Sequence, residues 1–314
     1  RRKSRIRSFS SKRFRARRVP RPLALACLLA ATVIWGLAFI AQKSAMEVMG
    51  PLTFLAARFL LGGMAILPLA LFEHKSASDP LTRRHWSLIA ILCVSFFLGA
   101  YLQQVGLLTT SVTNGGFLTG LYVFFVPVVM LLVFRAAPYR AVWACAPLAL
   151  LGLFLLNGGR LDAFTQGDGL VMASTIFWAV QVVLLGLLAA QTRRPVFLSA
   201  LSFLTAGAFG LAGALAFETP TLAQLGAGWI EILYAGLLST AIGFTLQAVG
   251  QQHVPPANAA IILSAESLFA ALGGALVLGE RLPPIGYAGA ALIFLAIVLV
   301  ETLPARNRIP TPPG

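Results

Sequence analysis

Charge is scarce in this chain, and acidic charge most of all. Only 11% of its 314 residues are Asp, Glu, Lys or Arg, and ten of them are acidic. A soluble domain carries roughly 25% charged residues, so a globule of this composition would lack polar surface to face water. Cysteine is rarer still. Cys27, Cys93 and Cys145 all fall inside apolar blocks, an odd and scattered set that argues against a disulfide framework. Histidine numbers three: His74 and His85 share one polar stretch, and His253 lies in another. There is no HExxH, no CxxC and no acidic cluster to hold a metal, no GxxxxGK[ST] phosphate loop and no GxSxG elbow. ATP hydrolysis, zinc chemistry and serine hydrolysis therefore have no residues to carry them. Neither a metal nor a cofactor is expected.

What the chain has in excess is apolar side chains: 58%, against roughly 45–50% in soluble proteins. They fall in blocks of about 20, the length of a helix that crosses a bilayer core. The blocks are 22–41, 50–72, 85–107, 110–134, 140–157, 167–188, 196–216, 229–249, 255–278 and 285–302. Turn-forming breaks separate them, among them Gly50-Pro51, Asp79-Pro80, Gly158-Gly159, Pro255-Pro256 and Pro283-Pro284. Trp86, Trp143, Trp229 and Tyr287 sit near block ends, where amphipathic rings favour the membrane interface. The expectation is an all-α integral membrane protein of ten transmembrane helices, with no room for a separate soluble domain.

The net charge of +14 is unevenly placed: eleven of the 24 Lys and Arg lie within residues 1–21. Such a run can be read as a nucleic-acid tail. Directly ahead of a membrane span, a cytoplasmic anchor on anionic lipid headgroups explains it better, and no nucleic-acid partner is expected. The first apolar block lacks a small-residue cleavage site, so it is expected to be a helix rather than a signal peptide. With that tail in the cytoplasm, 20 Lys and Arg fall on the cytoplasmic side and 3 (Lys43, Arg160, Arg281) outside, with Arg58 inside a span. The positive-inside rule then puts both termini, 1–21 and 304–314, in the cytoplasm, in a plasma (inner) membrane.

The chain also resembles itself. Shifted by 144 positions, Gly99-x-x-Leu102-Gln103-x-Val105-Gly106 falls on Gly243-x-x-Leu246-Gln247-x-Val249-Gly250, Asn114 on Asn258 and Phe125 on Phe269. With one residue of slippage, Thr32-x-x-Trp35 falls on Thr175-x-x-Trp178. Each copy, 22–157 and 158–303, spans five helices. Because five is odd, the second copy enters the bilayer upside down relative to the first. Two inverted five-helix repeats are a transporter signature, with substrate bound near the midplane between them.

These residues resemble the EamA-type family of the drug/metabolite transporter superfamily, over roughly 22–303. In the first copy, Trp35-Gly36, Phe39 and Lys43 resemble the family's first helix, and Ala56-Ala57-Arg58-Phe59 its second. In the second copy, Gly167-Asp168-Gly169-Leu170 to Trp178-Ala179 resembles the opening of the repeat, and Leu278-Gly279-Glu280-Arg281-Leu282 its close. The chain departs from the pattern at Arg135-Ala136-Ala137-Pro138, where the first copy's Gly-Glu-Arg-like turn would fall, and at Glu266-Ser267, where the family usually has Glu-Pro. The resemblance implies a secondary transporter, often an exporter of amino acids or other small metabolites.

Two formal charges lie deep in spans: Arg58 and Glu266. Ionisable groups there are costly and usually face a cavity or a partner. Arg58 either snorkels to a membrane end or meets an anionic substrate group. Glu266, among Ile261, Ile262, Leu263, Leu268 and Phe269, is either a proton-loading site or a neutral acid bonded to a neighbouring helix. Asn258 and Glu266 stand at i and i+8 on one helical face, and Asn114 and Tyr122 are their counterparts in the first copy. These two faces are expected to line opposite sides of one cavity. Gln103 and Gln247 either reach that cavity or bond between helices, and the glycines around them pack. Trp35 and Trp178 form an aromatic wall or core. The leading reading is an alternating-access exporter of small metabolites, with protons a candidate coupling partner. A passive facilitator on the same helices is the first alternative. A membrane enzyme or lipid-handling scaffold is the second, and it lacks a constellation of acid, base or metal ligands. Oligomeric state stays open.

Overall fold

The computed structural model describes residues 20–159, 165–277 and 284–303. The basic stretch 1–19, Arg160, the Gly279-Glu280-Arg281 turn and residues 304–314 lie outside the described residues. Among the described residues the regular structure is entirely helical. Nine segments of the described residues are long and apolar enough to cross a membrane: Arg21–Ala45, Pro51–Ser76, Arg83–Gly106, Val112–Leu132, Gln166–Thr192, Pro195–Phe217, Trp229–Gln251, Pro256–Val277 and Pro284–Thr302. The remaining expected span, Arg140–Leu156, is helical but has 17 residues. At ~1.5 Å per residue that is about 26 Å, short of a ~30 Å hydrocarbon core. With it counted as the fifth, the helices are numbered below in chain order, first to tenth. Large apolar side chains cover the outside of the bundle. Phe72, Leu132, Phe217 and Leu276 are all at least 70% exposed, a surface suited to lipid.

Helix starts follow the local sequence. Pro51 and Pro195 open the second and seventh helices, where a missing N–H costs nothing. Thr82, Ser111 and Thr165 cap the third, fourth and sixth, each side chain accepting a backbone N–H three residues on.

The second and seventh helices lie antiparallel, and each ends by capping the other. Glu218, just past the seventh, accepts from the backbone N–H of Leu52 (2.9 Å) and Thr53 (2.8 Å) and from Thr53 Oγ1 (2.6 Å). Glu73, near the end of the second, accepts from the Phe197 N–H at 2.8 Å. The first turn of a helix carries unpaired N–H donors and the positive end of its dipole, so a carboxylate there satisfies both.

The close approaches between helices repeat with the two halves exchanged. A Cβ on Gly63 would come within 2.8 Å of Leu204, and one on Gly207 within 2.8 Å of Leu60. Gly106 seats Val171 and the Gly167 carbonyl, whereas Gly250 seats Leu28 and the Ala24 carbonyl. Gly99 faces the ring of Trp178, and Gly243 faces the ring of Trp35. The register of these contacts makes the third helix antiparallel to the sixth and the first antiparallel to the eighth. The fifth and tenth helices are also antiparallel, with backbone meeting backbone at Gly152 and Gly289.

Three helices are less regular than their apolar blocks suggest. The fourth is two pieces, Val112–Gly120 and Tyr122–Leu132. The ninth is Pro256–Leu263 and Glu266–Val277. Both interruptions tighten the backbone to i→i−3 bonds, Leu121 N–H to the Leu118 carbonyl and Ala265 N–H to the Ile262 carbonyl. In the ninth, the Ser264 hydroxyl also donates to the Ile261 carbonyl at 2.7 Å, competing with the helical ladder. Leu121 and Ala265 are counterparts in the 144-residue shift. The eighth helix is π-helical over Tyr234–Phe244, whereas the third, its counterpart, is regular throughout.

Replacing Glu218 or Glu73 by Ala leaves buried N–H donors unmatched, and each change is expected to cost about 1–2 kcal/mol. The double variant should lose close to the sum, because the two caps sit at opposite ends of the helix pair. Thermal unfolding of the purified protein in detergent measures this; an unchanged midpoint for both single variants would remove the caps from the account. Gly167→Ala, whose Cβ would lie 2.3 Å from the Gly106 carbonyl, should prevent stable folding, whereas Gly226→Ala, with nothing within 4 Å, should not.

Candidate functional site

The two interrupted helices meet at the centre of the bundle. Each second piece begins with a polar residue, Tyr122 in the fourth helix and Glu266 in the ninth. These counterparts lie beside one another, and both are buried. Neither Tyr122 Oη nor Glu266 Oε1 makes a hydrogen bond of normal geometry. They face a small cavity, with ≈ 50 Å³ of room for water. Its walls also include Trp35, Phe39 and Gln42 from the first helix, Arg58 from the second and Gln103 from the third. Thr119, Trp178, Gln181, Ser239, Phe244, Gln247 and Leu263 complete most of the lining.

Seven of the nine residues singled out in the sequence therefore share this cavity: Trp35, Arg58, Gln103, Tyr122, Trp178, Gln247 and Glu266. Asn114 and Asn258 do not. Asn258 lies two turns from Glu266, about 12 Å along the axis at ~1.5 Å per residue, and beyond the Ser264–Ala265 interruption. Its Nδ2 donates to Tyr139 Oη (2.9 Å) and Glu301 Oε1 (3.1 Å) at the bundle end that also carries the Arg21–Glu301 ion pair. Asn114 sits at the opposite end, beside the Asp168 carboxylate that Thr110 and Thr165 also bond. Helical spacing within one block implied a shared face; the interruption ends that face before it reaches Asn258. The sequence reading missed Gln42, Thr119, Gln181, Ser239 and Phe244. Gln42 and Gln181, uncharged amides within apolar spans, were the signal available for two of them.

The polar groups of the cavity divide into engaged and free. Trp178 Nε1 donates to Gln103 Oε1 at 2.7 Å, and Trp35 Nε1 donates to the Ser239 carbonyl at 3.1 Å. Gln181 and Gln247 bond each other at 3.3 Å in both directions. Arg58 is 3% exposed, and its Nε and Nη1 have no partner. It does not snorkel. Its guanidinium lies 4.4 Å from the centre of the Phe59 ring and 5.6 Å from that of Phe54. Such contacts return about 0.5–2 kcal/mol, whereas desolvating an ion costs several kcal/mol. The deficit marks a cation held in place without a counter-charge. Phe244 touches both tryptophans, with ring centres 4.5 Å from Trp35 and 5.8 Å from Trp178, so the three form one aromatic wall. The arrangement offers a basic group, an acid and an aromatic wall in one cavity between the two halves of the chain.

Comparison with known proteins agrees with this architecture. The model of the EamA-like transporter family matches the chain twice, over residues 22–158 and 165–302. An uncharacterized transporter of Archaeoglobus fulgidus is 29% identical over 273 residues, which is 86% of this chain and 82% of that protein. An uncharacterized transporter of Bacillus subtilis is 28% identical over 298 residues, covering 90% of this chain and 94% of that one. A protein of known crystal structure shares the fold with a TM-score of 0.73 at 18% identity, covering 92% of this chain and all of that one.

If the burial of Arg58 is an energetic cost, Arg58→Met should raise the thermal midpoint in detergent, by the equivalent of about 1 kcal/mol or more. A lower midpoint would instead make the guanidinium a structural tie.

Proposed function

The chain belongs to the EamA-like transporter family, and from that premise we propose that it moves small metabolites by alternating access, as a secondary transporter without enzymatic activity. In this reading the helices form ten spans in two repeats, 22–157 and 158–303, inverted relative to each other in the plasma membrane. Both termini are cytoplasmic and the direction is export. The antiparallel pairing of the second with the seventh helix and of the fifth with the tenth supports the inversion. The orientation is supported by Arg21, Lys75, Arg83, Arg84, Arg135, Arg140, Arg193 and Arg194, which share one end of the bundle, with Lys43 at the other.

The observation that carries the mechanism is an asymmetry. The halves exchange cleanly at their glycine contacts but not at the cavity. Trp178 bonds the Gln103 side chain, whereas its counterpart Trp35 bonds a backbone carbonyl of the π-helical stretch, and Gln247 turns to Gln181 instead. Two similar halves held in different conformations have a second state in which the roles are traded. There, Trp35 would donate to Gln247, the third helix would take the π register, and Trp178 would donate to the carbonyl of Ser95, the counterpart of Ser239. The trade conserves the number of tryptophan hydrogen bonds, so it needs no large driving force. Glu266 is the group that would couple the trade to protons.

Counterflow in proteoliposomes tests the transporter against a passive facilitator: unlabelled solute on one side should drive labelled solute uphill, and simple equilibration would rule alternating access out. Candidate solutes come from comparing the growth medium of cells overproducing the wild type with that of cells producing Glu266→Gln at a matched level. Glu266→Gln should abolish the pH dependence of transport; pH dependence that persists would sink the coupling role. Gln103→Leu removes the acceptor of Trp178 in the present state and leaves the Gln181–Gln247 pair alone. Hydrogen exchange in this variant should therefore rise over 90–100 and fall over 234–244, and unchanged exchange in both segments would count against the trade.

A further inference from the structure

Arg58 is the one described Lys or Arg enclosed in the cavity, and no carboxylate meets it. The ion pair among the described residues, Arg21–Glu301, lies at the end of the bundle. Phe59 holds one face of the guanidinium at 4.4 Å. From Phe59 the rings continue without a gap to Phe96 (5.1 Å), to Phe244 (4.9 Å) and so to the Trp35–Phe244–Trp178 wall. Arg58, Trp35, Phe244 and Trp178 all line the cavity, so the guanidinium and the aromatic wall share one space. Among the amides of the cavity, Gln103 Oε1 accepts from Trp178, and Gln181 and Gln247 bond each other. Resting on the transporter reading above, we propose that the substrate is a small monocarboxylate with a planar apolar body, its carboxylate on Arg58 and its body against the Trp35–Phe244–Trp178 wall.

Three features select this class. A guanidinium matches a carboxylate with paired, charge-assisted hydrogen bonds, which compensates the cation that the protein leaves unmatched. One cation balances one negative charge; a dianion would bring a second toward the acid Glu266 with no base to receive it. An inorganic anion would satisfy Arg58 but leave the aromatic wall unused, whereas an aromatic body gains ring contacts with it, stacked or edge-on.

The test uses the purified full chain in detergent, read by tryptophan fluorescence and by thermal shift. The probes are matched acids and amides: benzoate with benzamide, phenylacetate with phenylacetamide, and hexanoate with hexanamide, with chloride as the inorganic control. Each aromatic acid is expected to bind about tenfold or more tightly than its amide, as the loss of a charge-assisted pair implies. Phenylacetate should also bind more tightly than hexanoate. Arg58→Gln should erase the preference for acids, and Arg58→Lys should retain part of it. If Arg58→Gln does not fold, the wild-type pairs and Arg58→Lys still decide. Acids no tighter than their amides, or a preference that survives Arg58→Gln, overturns the proposal. Hexanoate equal to phenylacetate overturns the planar body, and chloride that competes fully at equal concentration overturns the organic ligand. Counterflow of labelled phenylacetate separates the two readings. Binding without counterflow would remove the transporter and leave the anion site; counterflow of other solutes with no acid preference would do the reverse.

Discussion

Lipid offers apolar side chains the same surroundings as a protein interior, so a membrane bundle gains little from burying leucine against leucine. What remains is close backbone approach and the satisfaction of polar groups. This protein meets that constraint by pairing helices of one half antiparallel with helices of the other. Glycines set the spacing: Gly63 and Gly207 between the second and seventh helices, Gly106 and Gly167 between the third and sixth, and Gly152 and Gly289 between the fifth and tenth. Carboxylates close the ends, with Glu73 and Glu218 each covering the first turn of the other's helix. Every one of these contacts joins the two halves.

The cavity follows from the same pairing. Helices that run unbroken leave no room at the centre of a bundle, and the fourth and ninth are interrupted there. Backbone that departs from a regular helix inside a membrane is tolerated where it lines a cavity or is buried in protein. The interruptions at Leu121 and Ser264–Ala265 turn Tyr122 and Glu266 toward the centre and leave Asn114 and Asn258 at opposite ends, where they tie loops and helix ends together. Arg58 then sits within the same enclosure without an ionic partner.

The π-helical stretch Tyr234–Phe244 belongs to the same economy. A π turn frees a carbonyl from the ladder at low cost, and here the freed region supplies the acceptor for Trp35 at Ser239. The third helix, with the same Gly-x-x-Leu-Gln motif, stays regular, because Trp178 finds its acceptor in the Gln103 side chain. Similar sequences thus hold two different hydrogen-bond solutions in one molecule, which is what a pair of interconvertible halves requires.

The sequence by itself determined the helical membrane class, the positions of most helix ends and the 144-residue likeness between the halves. Those properties live in local hydrophobicity, turn residues and spacing. It also picked out seven residues that share the cavity, because a charge, an amide or a tryptophan in the middle of an apolar span is costly wherever the helix packs. The tertiary structure alone decided where the helices break, since Gly120 and Ser264 are compatible with a continuous helix until their neighbours are in place. It also decided that Asn258 leaves the face of Glu266, that Gln181 rather than Trp35 meets Gln247, and that Arg58 lies buried with no counter-charge. The breaks, the place of Asn258 and the Gln181–Gln247 pair each involve contacts between residues 43 to 151 positions apart, and no periodicity within a single span records which residue stands opposite across the bundle.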